Sequence, residues 1–303
     1  MKKKFIVTVL LLMNMVFSYA CDICGCGTGN YYVGLLPQFN KKFIGLRYQY
    51  KYFTTHIKDN PSQFSNDLFQ STELWGGFNI GKKWQVLSIL PYQFIHQKTD
   101  DGVMSSNGPG DVAVMVNYKL FDLASTTNSK KLITQQLWIG GGIKLPTGRF
   151  NANVAANEVV ALANSQVGTG STDYMINLSH NLRISQFGLT TNLNYKINGS
   201  NSDKYKFGNR FSAGSFAFYA INKNKTIISP NIGLTYEHSS FNTLNKTTVQ
   251  ETNGHLIAAS AGVEFGFNKI SLGANFQLPV AQEFASGQTK LGSRAMLHLS
   301  YSF

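Results

Sequence analysis

All three cysteines of the 303-residue chain, Cys21, Cys24 and Cys26, fall within the stretch CDICGCG. C-x-x-C-x-C offers three thiolates on a short glycine-containing loop, a donor set suited to Cu(I) or Zn(II) and poorly suited to hard cations. The α-amino group of Cys21, Asp22, water or a donor from a partner could complete it. Two other chemistries fit the same residues. Cys21 could be acylated as an anchor, although Tyr19 in Phe17-Ser18-Tyr19-Ala20 departs from the small or aliphatic run that precedes a lipidated cysteine. A disulfide could join Cys21 to Cys24 or Cys24 to Cys26 and leave one thiol over. The three readings stay open.

A second constellation is YEHSSFN, which puts His238, Ser240 and Asn242 on one face of an extended strand. A His-x-Ser pair can activate the hydroxyl if a third group orients the imidazole, and outer-membrane phospholipases use Asn, His and Ser in this way. The flanking residues do not match those enzymes, so the expectation is a polar loop mouth and a protein that is not an enzyme. GGGIKLPTG lacks the ending of a phosphate loop and opens no helix.

The elements that carry these residues follow from the N-terminus onward. MKKK, the apolar FIVTVLLLMNMVF and Ser18-Tyr19-Ala20 have the layout of a secretory signal peptide over residues 1–20, with Cys21 as the first mature residue. No later stretch reaches the about 18 apolar residues of a spanning helix. The formal charge is +12, and 24 basic against 15 acidic residues remain without Lys2, Lys3 and Lys4. A secreted chain of that sign meets lipopolysaccharide phosphates and small anions, and no nucleic-acid partner is expected.

Apolar residues recur at period two. In LGSRAMLHLSYSF, Leu291, Ala295, Leu297, Leu299, Tyr301 and Phe303 share one face, and Arg294, Met296, His298 and Ser300 the other. DVAVMVNYKL and LTTNLNYKI repeat the pattern. About twelve strands are expected, near 42–57, 70–80, 84–99, 110–120, 131–145, 172–184, 187–198, 207–220, 226–238, 255–267, 270–280 and 291–303. Tight turns at 81–83, 185–186, 221–225 and 268–269, with 122–130 longer, alternate with polar loops at 58–69, 100–109, 146–171, 199–206, 239–254 and 281–290. An even strand number with short turns at one end and long loops at the other describes an all-β, transmembrane antiparallel barrel of outer-membrane type. Trp84, Tyr118, Phe121, Phe187, Tyr219, Phe267, Tyr301 and Phe303 would form its aromatic girdle at the periplasmic end, where both termini fall. Residues 41–303 form the barrel in this reading, and 21–40 a periplasmic segment able to enter its mouth as a plug.

GPGDVAVMVNYKLF, residues 108–121, and GGGIKLPTGRF, residues 140–150, resemble the bacterial outer-membrane channel family named for the phenol meta-degradation pathway. The motif residues are Gly110, Asp111, Leu145, Pro146, Thr147 and Gly148. The resemblance implies a β-barrel in the Gram-negative outer membrane that transports a small molecule, without implying that phenols are its cargo. CDICGCG resembles the cysteine-rich mature N-terminus of some members found in metal-handling contexts, which implies a periplasmic metal-handling partner. The terminal Phe303 resembles the signal read by the barrel-assembly machinery, which would be a partner alongside outer-membrane lipid and lipopolysaccharide.

With the apolar face turned to lipid, the lumen-facing set includes Arg47, Lys51, Asn117, Lys119, Asn181, Arg183, Lys196, Arg210, Glu264 and Arg294. Basic groups dominate that set, which would favour anions or solutes carrying a carboxylate. The competing reading is a closed-lumen structural or binding barrel in which the cations pair with acids and fill space.

Overall fold

The computed structural model describes residues 42–58, 60–100, 102–126, 131–150 and 165–303. Twelve antiparallel strands make the wall. They are β1 (Phe43–Ile57), β2 (Asn60–Ile80), β3 (Trp84–Thr99), β4 in two segments (Gly102–Pro109 and Ala113–Thr126), β5 (Leu132–Lys144) and β6 (Asp173–Ile184). The second half holds β7 (Phe187–Ile197), β8 (Arg210–Tyr219), β9 (Thr226–Ser239), β10 (Gly254–Phe267), β11 (Ile270–Phe284) and β12 (Thr289–Ser302). Each strand pairs with its sequence neighbour. The sheet closes when β12 pairs with β1 from Phe43↔Ser302 to Thr55↔Thr289. Closure removes the free edge that hydrocarbon could not satisfy.

Alternation sorts the side chains. Ile44, Leu46, Leu74, Ile176, Ile232, Leu234, Leu272, Leu297 and Leu299 are exposed on the outside, while Arg47, Glu73, Asn117, Ser229, Glu264 and His298 are buried within. This is the inverse of a water-soluble barrel. Aromatic rings collect at the short-turn end, with Trp84 and Tyr118 centroids 4.7 Å apart and Phe187 and Tyr219 4.8 Å apart. Lys83 and Lys269 from the adjoining turns lie over Tyr118 and Tyr301, at 5.7 and 5.8 Å. Long basic chains reach the aqueous side from such positions while their stems stay on apolar surface. Phe303 N donates to Lys42 O at 3.0 Å, which places residues 42 and 303 at this same end.

The loop end is more ordered than the residue pattern suggests. β2 already begins at Asn60, the 102–109 segment pairs with β3, and β11 runs to Phe284, so much of the expected loops 58–69, 100–109 and 281–290 is strand. These stretches are polar because they project past the apolar band, and polarity alone reads as loop. The 198–209 and 240–253 connections join through a small sheet in which Thr243–Leu244 pairs with both Tyr205–Lys206 and Thr247–Thr248.

One face assignment changes. Tyr52 pairs with Ser293 but Phe53 with Leu291, so Gly292 is an extra residue on β12. A bulge flips the side chains beyond it, and Leu291 is buried inside the barrel instead of facing outward. There it joins Phe53, Phe69, Ile95, Leu256 and Phe284 in an apolar cluster. A second inward cluster, Phe43, Trp75, Leu87, Ile89, Ala113, Met115 and Met175, lines strands β1 to β6.

Candidate functional site

The residues of the two sequence motifs meet at the loop-side mouth. Pro109 cannot donate to a ladder, and Gly110 and Asp111 fall in the gap between the two segments of β4, where Gly110 N turns to Pro91 O at 2.9 Å. Leu145 to Gly148 leave β5 beside this gap. Leu145 N donates to Val112 O at 2.8 Å, and the Thr147 hydroxyl accepts from Val112 N at 2.9 Å and donates to Gly110 O at 3.1 Å. Pro146 supplies the fixed φ between them. The break therefore turns the Asp111 carboxylate inward.

Asp111 holds the long loop. Its Oδ1 accepts from Gly148 N at 3.0 Å, and its Oδ2 accepts from Thr169 N at 3.0 Å and from the Thr169 hydroxyl at 2.7 Å. Lys144 Nζ sits 2.7 Å from Asp111 and also donates to the Thr169 hydroxyl. Lys144 is 3.0 Å from Asp173, and Lys196 reaches the same carboxylate at 3.6 Å. Ser171 Oγ and Gly199 N donate to the other Asp173 oxygen, at 2.9 and 3.0 Å. Segment 165–171 is thereby folded into the mouth, with Ser165, Val167, Thr169 and Ser171 buried. Val167 belongs to the inward apolar cluster. The two legs of the loop touch: Gly168 N donates to Arg149 O at 3.2 Å, and a Cβ on Gly168 would lie 2.5 Å from the Gly148 carbonyl carbon. Only glycine permits that approach.

Further inside, the cations have acidic companions that residue alternation did not bring out. Arg47 Nε donates to Glu73 at 2.6 Å, and Gln49 reaches the other Glu73 oxygen at 2.7 Å. Arg294 binds Glu237 through both Nη atoms, Nη2 to Oε2 at 3.0 Å. His298 Nε2 lies 2.9 Å from Glu264. Lys119 pairs with Asp122 at 2.7 Å near the short turns. Glu73, Asp111, Asp173 and Glu237 thus offset part of the basic charge of the interior. They escaped the pattern because a carboxylate in a strand looks alike whether it faces in or sits near a rim. Asn117 accepts from Asn177 at 2.9 Å, Asn181 accepts from Thr190 at 2.9 Å, and Arg183 binds the turn carbonyl of Ser185 at 2.8 Å. Arg210 begins β8 opposite Lys196 and Ser239.

The YEHSSFN residues part company. Asn242 accepts from Gly208 N and donates to the Tyr205 hydroxyl, both at 2.7 Å, so its amide braces the loop sheet. His238 closes the outward row of β9, exposed with Leu234 and Tyr236 further down. Cys21, Cys24 and Cys26, and the expected plug of residues 21–40, lie outside the described residues. Among the described residues, no group of three or more His, Cys, Asp or Glu side chains is placed to hold a metal ion.

A closed wall of twelve strands, apolar outside and polar within, with a loop drawn into its mouth, defines an outer-membrane-type β-barrel. The chain belongs to the family described as "Putative MetA-pathway of phenol degradation", which matches residues 53–292. No curated protein matches the chain. An outer membrane channel from Pseudomonas putida F1 is similar in structure, with a TM-score of 0.58 and 15% identity over 87% of this chain and 96% of that one. The transport unit of the autotransporter AIDA-I from Escherichia coli gives 0.52 and 11% over 90% and 94%. The beta domain of the Bordetella autotransporter BrkA gives 0.51 and 12% over 87% and 100%. At these identities the likeness is one of fold.

Proposed function

We propose that this protein is an outer-membrane channel for a small polar solute, with both termini in the periplasm and segment 165–171 as its constriction. The observation that carries this reading is the pinned segment, held by Asp111 and Lys144 among buried ion pairs. A barrel needed only as a scaffold would be at least as stable with an apolar filling, because desolvation of buried ion pairs offsets much of their attraction. A polar interior narrowed by a loop suits selection of what passes. Planar bilayer recordings test it, using protein whose folding is verified by heat-dependent gel mobility. Discrete conductance steps are expected. Silence from folded protein would favour the closed-lumen reading, which the two inward apolar clusters would then explain.

The thiols of Cys21, Cys24 and Cys26 extend the proposal to soft-metal handling at the periplasmic end, supported by their spacing. Intact mass of the mature protein with thiols trapped, together with metal analysis, decides among acylation, disulfide and bound Cu(I) or Zn(II). The closed antiparallel wall supports assembly by the barrel-assembly machinery, and the exposed apolar band supports outer-membrane lipid as the immediate partner.

A further inference from the structure

We infer that the lumen carries a binding site for a small carboxylate solute, centred on Lys51. The inference rests on the channel reading for its purpose, and on the local donor set for its chemistry. Lys51 pairs in register with Arg294 on the adjoining strand. The charges that act on it are those of Arg294, Glu237, Arg210 and Glu73. Both carboxylates are committed elsewhere: Glu237 to the two Nη atoms of Arg294, and Glu73 to Arg47 and Gln49. Among the described residues, no carboxylate stands within ion-pair distance of Lys51.

A cavity between β1, β11 and β12 is lined by Gln49, Lys51, Asn275, Gln277 and Arg294. Lys51 Nζ is the uncommitted donor of this lining, with the Arg294 guanidinium as a second positive charge on the paired strand. An ammonium without a carboxylate partner, lining this space beside the neutral amides of Gln49, Asn275 and Gln277, selects for an anionic oxygen and against a cation. A neutral sugar would leave the ammonium charge without a counter-charge. One uncommitted positive charge matches a monoanion better than a phosphate dianion.

The test uses the full chain folded in micelles, with acetate as the probe, methylammonium as the cation control and inorganic phosphate as the rival oxyanion. Saturation-transfer NMR is expected to show acetate contact that falls about fivefold or more in Lys51→Gln and returns in Lys51→Arg, with no methylammonium signal. No acetate contact, an equal signal in Lys51→Gln, or phosphate displacing acetate more tightly than acetate binds would overturn the site as stated. In bilayers, the chloride-to-potassium permeability ratio should exceed one and drop about fivefold in Lys51→Gln. Conductance steps without acetate contact would sink the site and leave the channel standing. Acetate contact without conductance would sink the channel and leave the site.

Discussion

Replacing Asp111 by Asn removes the charge that holds the long loop while keeping the shape of the side chain. The buried carboxylate accepts from Gly148 N, Thr169 N, the Thr169 hydroxyl and Lys144. An asparagine can place one oxygen towards Gly148 or towards Thr169, and its amide group then faces donors on the other side. Breaking one partner out of a buried pair costs about 3–5 kcal/mol. Lys144 keeps Asp173 at 3.0 Å, so the lower end of that range applies. About 3 kcal/mol is about a hundredfold in the population of the detached loop. The wall strands have their own ladders, so the loss is local opening and leaves the barrel folded. Hydrogen exchange should show protection at Thr169 and Gly148 falling about a hundredfold, with β10 to β12 unchanged. Unchanged exchange at those two amides would refute the anchoring role, and uniform loss across the barrel would refute its locality.

Gly168→Ala drives a methyl group into the Gly148 backbone, so the two loop legs must separate; if the segment is the constriction, single-channel conductance should rise and become noisier. Asn242→Ala leaves Gly208 N and the Tyr205 hydroxyl without their partner, at a cost of about 2 kcal/mol. Faster proteolytic nicking within 199–209 or 240–253 of the folded protein should follow. Ser240→Ala should leave phospholipid hydrolysis by the purified barrel at background; activity lost on that change would revive the hydrolase reading.

Period-two alternation, an even strand number, tight turns at one end and the two motifs were all legible in the sequence, because each is written in neighbouring residues. β1, β3, β6, β9 and β10 lie within a residue of their expected bounds at each end. The lipid-facing row is legible for the same reason, since one solvent sets the chemistry of every second residue. Arg47, Asn117, Glu264 and Arg294 fall on the opposite row by parity alone.

What lies between distant segments depends on the tertiary structure. Leu291 turns inward because a single extra residue at Gly292 shifts register against β1; a lone glycine is compatible with a bulge, and the pairing with β1 shows that one forms there. Glu237 meets Arg294 across two intervening strands. Asp111 meets Thr169 across 58 positions of sequence, and only the closed wall brings them to one mouth. Local pattern determined which residues form strands and which face meets lipid, since both follow from nearest neighbours. Closure of the sheet decided which charges neutralise each other and which loop narrows the lumen, because those are contacts between segments that share no local signal.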